Sequence, residues 1–161
     1  MSDQIHDFDD WFSLNYRRVL SSVLIVCAGD LVRAEDATND AFIDALEKWS
    51  TVGVMDSPRS WVTKVAINKA KRSWLRRQRY VDPVNVDSAG AVALDQDPNV
   101  ELWAAVNRLT VKQRSAIVLR YIDDLTQSDI ATKLDIAPGT VSATLTQARA
   151  KLRVELEGEA V

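Results

Sequence analysis

The sequence predicts an all-α protein: two small helical domains joined by a flexible linker, the second containing a helix-turn-helix. Three observations carry this. Apolar residues return at steps of three, four and seven through most of the chain, while strand-like alternation is weak throughout. The segment from Val81 to Pro98 holds Pro83, Gly90 and Pro98 and has no sustained period, so it separates two periodic regions. Thr126 to Leu152 has the spacing of two helices joined by a tight turn. The expected domains are 1–80 and 99–161, with an acidic linker at 81–98. Domains this small are marginal alone, so a partner is expected to help order them.

Each element has a local reason. Phe8 to Ala28 reads as a helix anchored by Phe8, Trp11, Phe12, Val19 and Val26, and Gly29-Asp30 interrupts it. Leu31 to Trp49 reads as a second helix, because Ala37, Ala41, Ala45 and Trp49 recur every fourth residue, with Phe42 and Leu46 widening the buried face. Glu35, Asp36, Asp40, Asp44 and Glu47 take the other side. Ser50 to Pro58 is expected to be a loop, with Pro58 suited to a turn or to a first helical position. Arg59 to Tyr80, Val100 to Leu109 and Val111 to Tyr121 read as further helices. Thr126, with Asp129 three residues on, suits an N-cap, and Ile130, Ala131 and Leu134 form that helix's apolar side. Asp135 to Ala137 is the turn, Pro138 opens the last helix, and Val141, Leu145, Ala148 and Leu152 form its buried stripe.

Charge is segregated along the chain. Residues 1–57 hold four basic and eleven acidic side chains; residues 58–80 hold eight basic ones and no acid; residues 81–101 hold five acids and no base. The net charge of the whole is −3. The acidic first segment serves either solubility or a basic protein partner, and we favour the partner. Surface helices normally mix signs for intrahelical pairing, so an acid-free run of 23 residues points to nucleic acid.

Composition also excludes classes. Cys27 and His6 are the only residues of their kinds, so an internal disulfide, a cysteine-rich zinc site and a histidine metal site are ruled out. One histidine and one cysteine leave few ways to build a nucleophile–base pair, and the five glycines are scattered rather than gathered in a phosphate loop. No enzymatic activity, metal or cofactor is expected. No apolar run approaches the roughly 20 residues that span a membrane. The acidic start, Met1 to Asp10, is unlike a signal peptide, so a cytoplasmic location is expected.

Two surfaces emerge as candidates for nucleic-acid contact. On the basic helix, Lys64, Asn68, Lys71, Arg72 and Arg79 gather on one side, while Trp61, Val62, Val65, Ala66, Ala70 and Trp74 share an apolar side. Trp61, Trp74 and Tyr80 could stack on unpaired bases or simply pack in the core. In the helix-turn-helix, Thr140, Ala143, Thr144 and Gln147 form the expected exposed face of the second helix, the one that enters a major groove. There Gln147 would pair with an adenine edge and the threonines would bond to bases or offer a methyl to thymine. Arg149, Lys151 and Arg153 would reach phosphates, as would Thr126 and Gln127 at the N-terminus of the preceding helix.

Three ordered blocks of residues carry a resemblance to a known family. The first runs from Ala34 to Phe42 and is followed by Trp49; the second runs from Ser57 to Ala70. The third starts at Leu109, includes Gln113-Arg114, Leu119-Arg120-Tyr121, Ile130-Ala131 and Gly139-Thr140-Val141, and ends at Ala148-Arg149. From roughly Phe8 to Leu152 the chain resembles a bacterial RNA polymerase sigma factor of the extracytoplasmic-function type (group 4 of the sigma-70 superfamily). The resemblance implies that Asp36, Asn39, Asp40, Phe42 and Trp49 meet the clamp helices of the largest subunit of core RNA polymerase. It implies that the second block recognises and opens the −10 promoter element, with Asp56 and Ser57 in a base-capturing loop from Val52 to Ser57 and Asn68 beside the DNA. Trp61, Lys64, Lys71, Arg72 and Arg76 join that −10 surface. The linker acids Asp82, Asp87, Asp95 and Asp97 would lie in an electropositive channel near nascent RNA or merely solubilise the segment. The helix-turn-helix would read the −35 element through Thr126, Gln127, Thr140, Ala143, Thr144, Gln147, Arg149 and Lys151. Implied partners are core polymerase, including the flap of its second subunit, promoter DNA in double-stranded and locally single-stranded form, and an anti-sigma protein. The chain departs from the family where Ser142, Ala143 and Thr144 replace a usual lysine-serine-arginine, and where Asn39 stands for a common glutamine. The altered face leaves a second reading open, a sigma-like regulator or decoy that docks on polymerase without initiating; a plain protein-interaction module is a third.

Overall fold

Helices account for nearly all of the described chain. The computed structural model describes the backbone of residues 2–80 and 100–158; the side chains of residues 2–6, 74, 77–80, 100 and 103 are outside the described set. The chain divides into two units, Met1–Asn85 and Val86–Val161. The linker acids and the rings of Trp74 and Tyr80 lie outside the described residues, as does the side chain of Arg79.

Unit 1 is built from α1 (Ser2–Val26), α2 (Leu31–Glu47), the single turn α3 (Trp49–Val52) and α4 (Pro58–Tyr80), with α1, α2 and α4 packed on one another. Ala28 (φ 54°) and Gly29 (φ 84°) turn the chain out of α1, and the Gly29 N–H donates to Leu24 O at 3.0 Å. Asp30 then caps α2 by accepting from the Arg33 N–H at 3.1 Å. The small residues Ala34, Ala37, Ala41 and Ala45 let the helices approach closely around Val19, Val23, Val62 and Ala66. At one end the rings of Phe8, Trp11, Phe12, Tyr16, Phe42 and Trp49 form a continuous aromatic cluster: Phe8 meets Trp49 edge-on at 5.2 Å, and Phe12 meets Phe42 edge-on at 5.0 Å.

Unit 2 comprises α5 (Val100–Asn107), α6 (Val111–Ile117), a wider π-helical turn (Val118–Ile122), α7 (Gln127–Leu134) and α8 (Pro138–Gly158). α8 is the central element, packing on α5, α6 and α7. Thr110 and Gln113 form a reciprocal capping box at the start of α6. Arg114 is buried and its Nη1 donates to Leu109 O at 2.5 Å and Asn107 O at 3.4 Å, so it ties off the end of α5. Thr126 caps α7 by accepting from the Asp129 N–H at 3.1 Å, as its sequence suggests.

Several boundaries differ from expectation. α2 stops at Glu47, because Lys48 (φ −110°, ψ 22°) breaks the helix and Trp49 begins a new turn. That new turn occupies part of the expected Ser50 to Pro58 loop. The helix expected to run from Val111 to Tyr121 widens at Val118, where the Asp123 N–H donates to Val118 O at 3.1 Å. Asp123 and Asp124 (φ 55°) then make the turn into α7. α8 continues to Gly158, through part of a tail with no periodic signal of its own.

Candidate functional site

The exposed side of α2 follows from its buried side. With Ala34, Ala37, Thr38, Ala41, Phe42 and Ala45 turned inward, Val32, Asp36, Asn39, Asp40, Ile43, Leu46 and Glu47 face solvent. Asn39 Oδ1 accepts from the Tyr16 hydroxyl at 2.8 Å, fixing the amide against α1. Burial, and secondarily the Glu35 charge, raise the Tyr16 hydroxyl above its ordinary 10.0, so it stays a donor.

This face corrects the polymerase-binding set. Asp36, Asn39 and Asp40 are exposed as expected. Phe42 and Trp49 are not: they are 3% and 8% exposed, held in the aromatic cluster with Trp11, Tyr16 and Phe8. Their part in any contact is to support the face from beneath. Ile43 (54% exposed) and Leu46 (44% exposed) are apolar residues offered beside the acids, with Val32 exposed at the start of the helix. Leu46 was expected in the core, but α1 and α4 cover a narrower stripe of α2 than the sequence suggests. The signal for Ile43 was available: it lies four residues beyond Asn39 and opposite the alanine row.

The basic surface is α4 with the segment that precedes it. Ser57 is the N-cap of α4: its Oγ accepts from the Ser60 N–H at 3.3 Å and donates to Ser60 Oγ at 2.9 Å. This is a structural commitment that the −10 assignment of Ser57 did not anticipate, although the residue remains exposed. Pro58 occupies the first helical position. Asp56, Val54 and Met55 are exposed in the same segment, and the two apolar ones were not singled out by sequence. Trp61 packs its ring partly against the core, with Lys48 Nζ 5.9 Å from the ring centroid. Lys64, Asn68 and Lys71 are half-buried, and Arg72 and Arg76 are exposed. Lys69 is drawn to the other side by Asp44, at 3.1 Å, and so ties α4 to α2.

In the helix-turn-helix, Asp135 takes a left-handed conformation (φ 54°) at the end of α7, and Ile136 N–H donates to Ala131 O at 3.0 Å. Thr126 and Gln127 are exposed at the α7 N-terminus. On α8, Ala143 and Gln147 are exposed and Thr140 is half-buried. Thr144 is a correction: it is 6% exposed, because it lies three residues from Val141 and four from Ala148 and turns inward with them. Ser142 and Thr146 take the outer face that Thr144 was expected to hold, and Thr146 Oγ1 donates back to Ser142 O at 2.9 Å. Arg149 Nη1 donates to the Tyr121 hydroxyl at 2.9 Å. Lys151 is exposed, and its Nζ donates to Arg108 O at 2.7 Å at the end of α5, where Arg108 and Glu155 pair as well. This bond braces α8 against α5.

Among the described residues there is no cluster of metal-ligating side chains, and no helix is long and apolar enough to cross a membrane.

Comparison with known proteins agrees with this layout. The family model for Sigma-70 region 2 matches residues 12–80, and that for Sigma-70 region 4 matches residues 99–152. The chain belongs to the sigma-70 family and is a promoter-recognising sigma factor of RNA polymerase. Within that family it is of the extracytoplasmic-function type. It is 28% identical over 133 residues to the RNA polymerase sigma-E factor of Streptomyces avermitilis, covering 80% of this chain and 73% of that one. It is 29% identical over 149 residues to the extracytoplasmic-function sigma factor SigM of Mycobacterium tuberculosis, covering 90% and 74%. In fold it is similar to the Bartonella quintana sigma factor RpoE, solved in complex with the anti-sigma factor NepR: the TM-score is 0.74 at 21% identity, over 94% of this chain and 97% of that one.

Proposed function

We propose that this sigma factor acts wholly by binding, through three surfaces with separate tasks. The outer face of α2, with Asp36, Asn39, Asp40 and Ile43, docks on the clamp helices of core polymerase, acids setting the approach and the apolar residues forming the desolvated centre. The acid-free α4, with Trp61, Lys64, Asn68, Lys71, Arg72 and Arg76, holds the −10 element, and the 54–57 segment receives a base as the duplex opens. α8 enters the −35 major groove while the N-terminus of α7 meets the phosphate backbone, and the far side of unit 2 meets the polymerase flap. Each contact is weak alone; one chain carrying both DNA-reading units raises the effective concentration of the second once the first is bound. An anti-sigma protein covering these surfaces would silence the factor, and the place of action is the cytoplasm.

The observation that carries the proposal is the opposition of surfaces in unit 1: an acidic, apolar-tipped α2 face and an acid-free α4 in one packed core. The test is run-off transcription with purified core polymerase over a pool of randomised promoter fragments, with and without the protein. Transcripts that depend on the protein and share two spaced elements are expected. Polymerase binding without transcripts would favour a docking decoy, and neither binding nor transcripts would overturn the proposal.

A further inference from the structure

The reading face of α8 is uncharged. From Pro138 to Ala148 there is no acidic or basic residue, and the exposed side chains there are small: Ser142, Ala143, Thr146 and Gln147, after Pro138 and Gly139. Of the basic residues that follow on α8, two are held by bonds within unit 2, and Arg153 is exposed beyond these turns. Arg149 donates to the Tyr121 hydroxyl and Lys151 to the Arg108 carbonyl. Thr144, aligned with a usual arginine, is buried.

Guanine is most often read in the major groove by an arginine or lysine that donates two hydrogen bonds to O6 and N7. The exposed N-terminal turns of α8 contain no such donor. What they contain is one bidentate amide, Gln147, whose donor–acceptor pair matches adenine N6 and N7, and exposed methyl groups on Thr146 and on Ala143, the latter four residues before Gln147 on the same side of the helix. An alanine methyl packs against a thymine methyl and has nothing to offer guanine.

We infer that the −35 element of this sigma factor is read as adjacent A·T pairs, with Gln147 and Ala143 as the specificity-determining residues and with no guanine recognised by α8. This rests on the assignment of unit 2 as the −35 reader. Phosphate contacts then supply most of the upstream affinity, and they carry no sequence information.

The experiment uses holoenzyme assembled from the full chain and core polymerase on a template library randomised only over the upstream element, with transcribed templates sequenced. A·T should be enriched about tenfold or more over G·C at neighbouring positions, the discrimination expected of one bidentate pair. Gln147→Ala should erase the preference at one position, and Gln147→Arg should convert it there to guanine. Thr144→Val, a buried near-isosteric change, should leave the profile as it is. Guanine enrichment with the unmodified protein, or a profile unmoved by Gln147→Ala, overturns the inference while the promoter-factor assignment stands. Equal recovery of every upstream sequence also overturns it. Loss of all protein-dependent transcription overturns both.

Discussion

Tyr16 and Trp49 illustrate how single side chains divide between surface and core. The Tyr16 hydroxyl is raised by burial first and by Glu35 second, both opposing the phenolate. The folded protein therefore holds this proton at a pH where the unfolded chain has lost it. Any stability from this group is complete below the ordinary 10.0 and falls as pH rises through the folded value. Ultraviolet titration of tyrosinate should show a transition above the ordinary 10.0 that is lost in Tyr16→Phe and moves to lower pH in Glu35→Gln. An unmoved transition in Glu35→Gln would remove the carboxylate from the explanation. For polymerase binding, Ile43 and Trp49 should separate cleanly. Ile43→Ser, on an exposed site, should change stability by no more than about 0.5 kcal/mol yet weaken core polymerase binding about tenfold. Trp49→Ala should cost about 3–5 kcal/mol of unit 1 stability. Paired thermal melts and polymerase titrations check both; weak binding by Ile43→Ser with an equal loss of stability would argue against a contact role.

Among the elements, the passage from α2 through α3 to α4 is the most constrained. Gly53 closes α3, and a Cβ there would stand 2.8 Å from Trp49 O and 2.9 Å from Trp49 Cε2. The backbone oxygen cannot retreat without unwinding the turn. Gly53→Ala should therefore lower unit 1 stability by roughly 1–3 kcal/mol, as overpacking does, and should shift tryptophan fluorescence as the Trp49 ring moves. Unchanged stability would mean that this turn is softer than its packing implies. Two helix starts were legible because caps are local: Thr126 and Pro58 sit where their chemistry places them, while the sequence shows the Asp30 cap only as part of a break. Helix ends were less so. The break at Lys48 and the widening at Val118 carry no turn-forming residue, and they arise where packing of Trp49 and of Val118 and Leu119 outweighs continuation of the regular helix.

Across the whole molecule, the dominant feature is separation of charge by segment. The −7 of residues 1–57 and the +8 of residues 58–80 lie in one unit, and the Asp44–Lys69 pair at 3.1 Å joins α2 to α4. The acid-free α4 is matched in charge to DNA phosphates. Replacing Arg72 and Arg76 by alanine should weaken promoter binding broadly, without altering sequence preference, and should flatten log K against log salt by about 1–2 units. A salt dependence equal to that of the unmodified protein would remove these residues from the phosphate contact.

By itself the sequence determined the all-helical class, the two-part organisation and the chemistry of each helix, because period, caps and charge runs are properties of neighbouring residues; the family followed from the resemblance carried by its three ordered motif blocks. It could not determine which members of a motif point outward. Phe42 and Trp49 share a block with Asp36 and Asn39, and Thr144 shares one with Ala143, but a rotation of about 100° per residue separates neighbours on a helix. Only the tertiary structure decides the width of the covered stripe, since that depends on which other helices pack there. In α2 the stripe takes in Phe42 and leaves out Ile43 and Leu46; in α8 it takes in Thr144 and leaves out Ser142. The contact between distant segments, not the local pattern, sets that boundary, and with it the face that α8 presents to DNA.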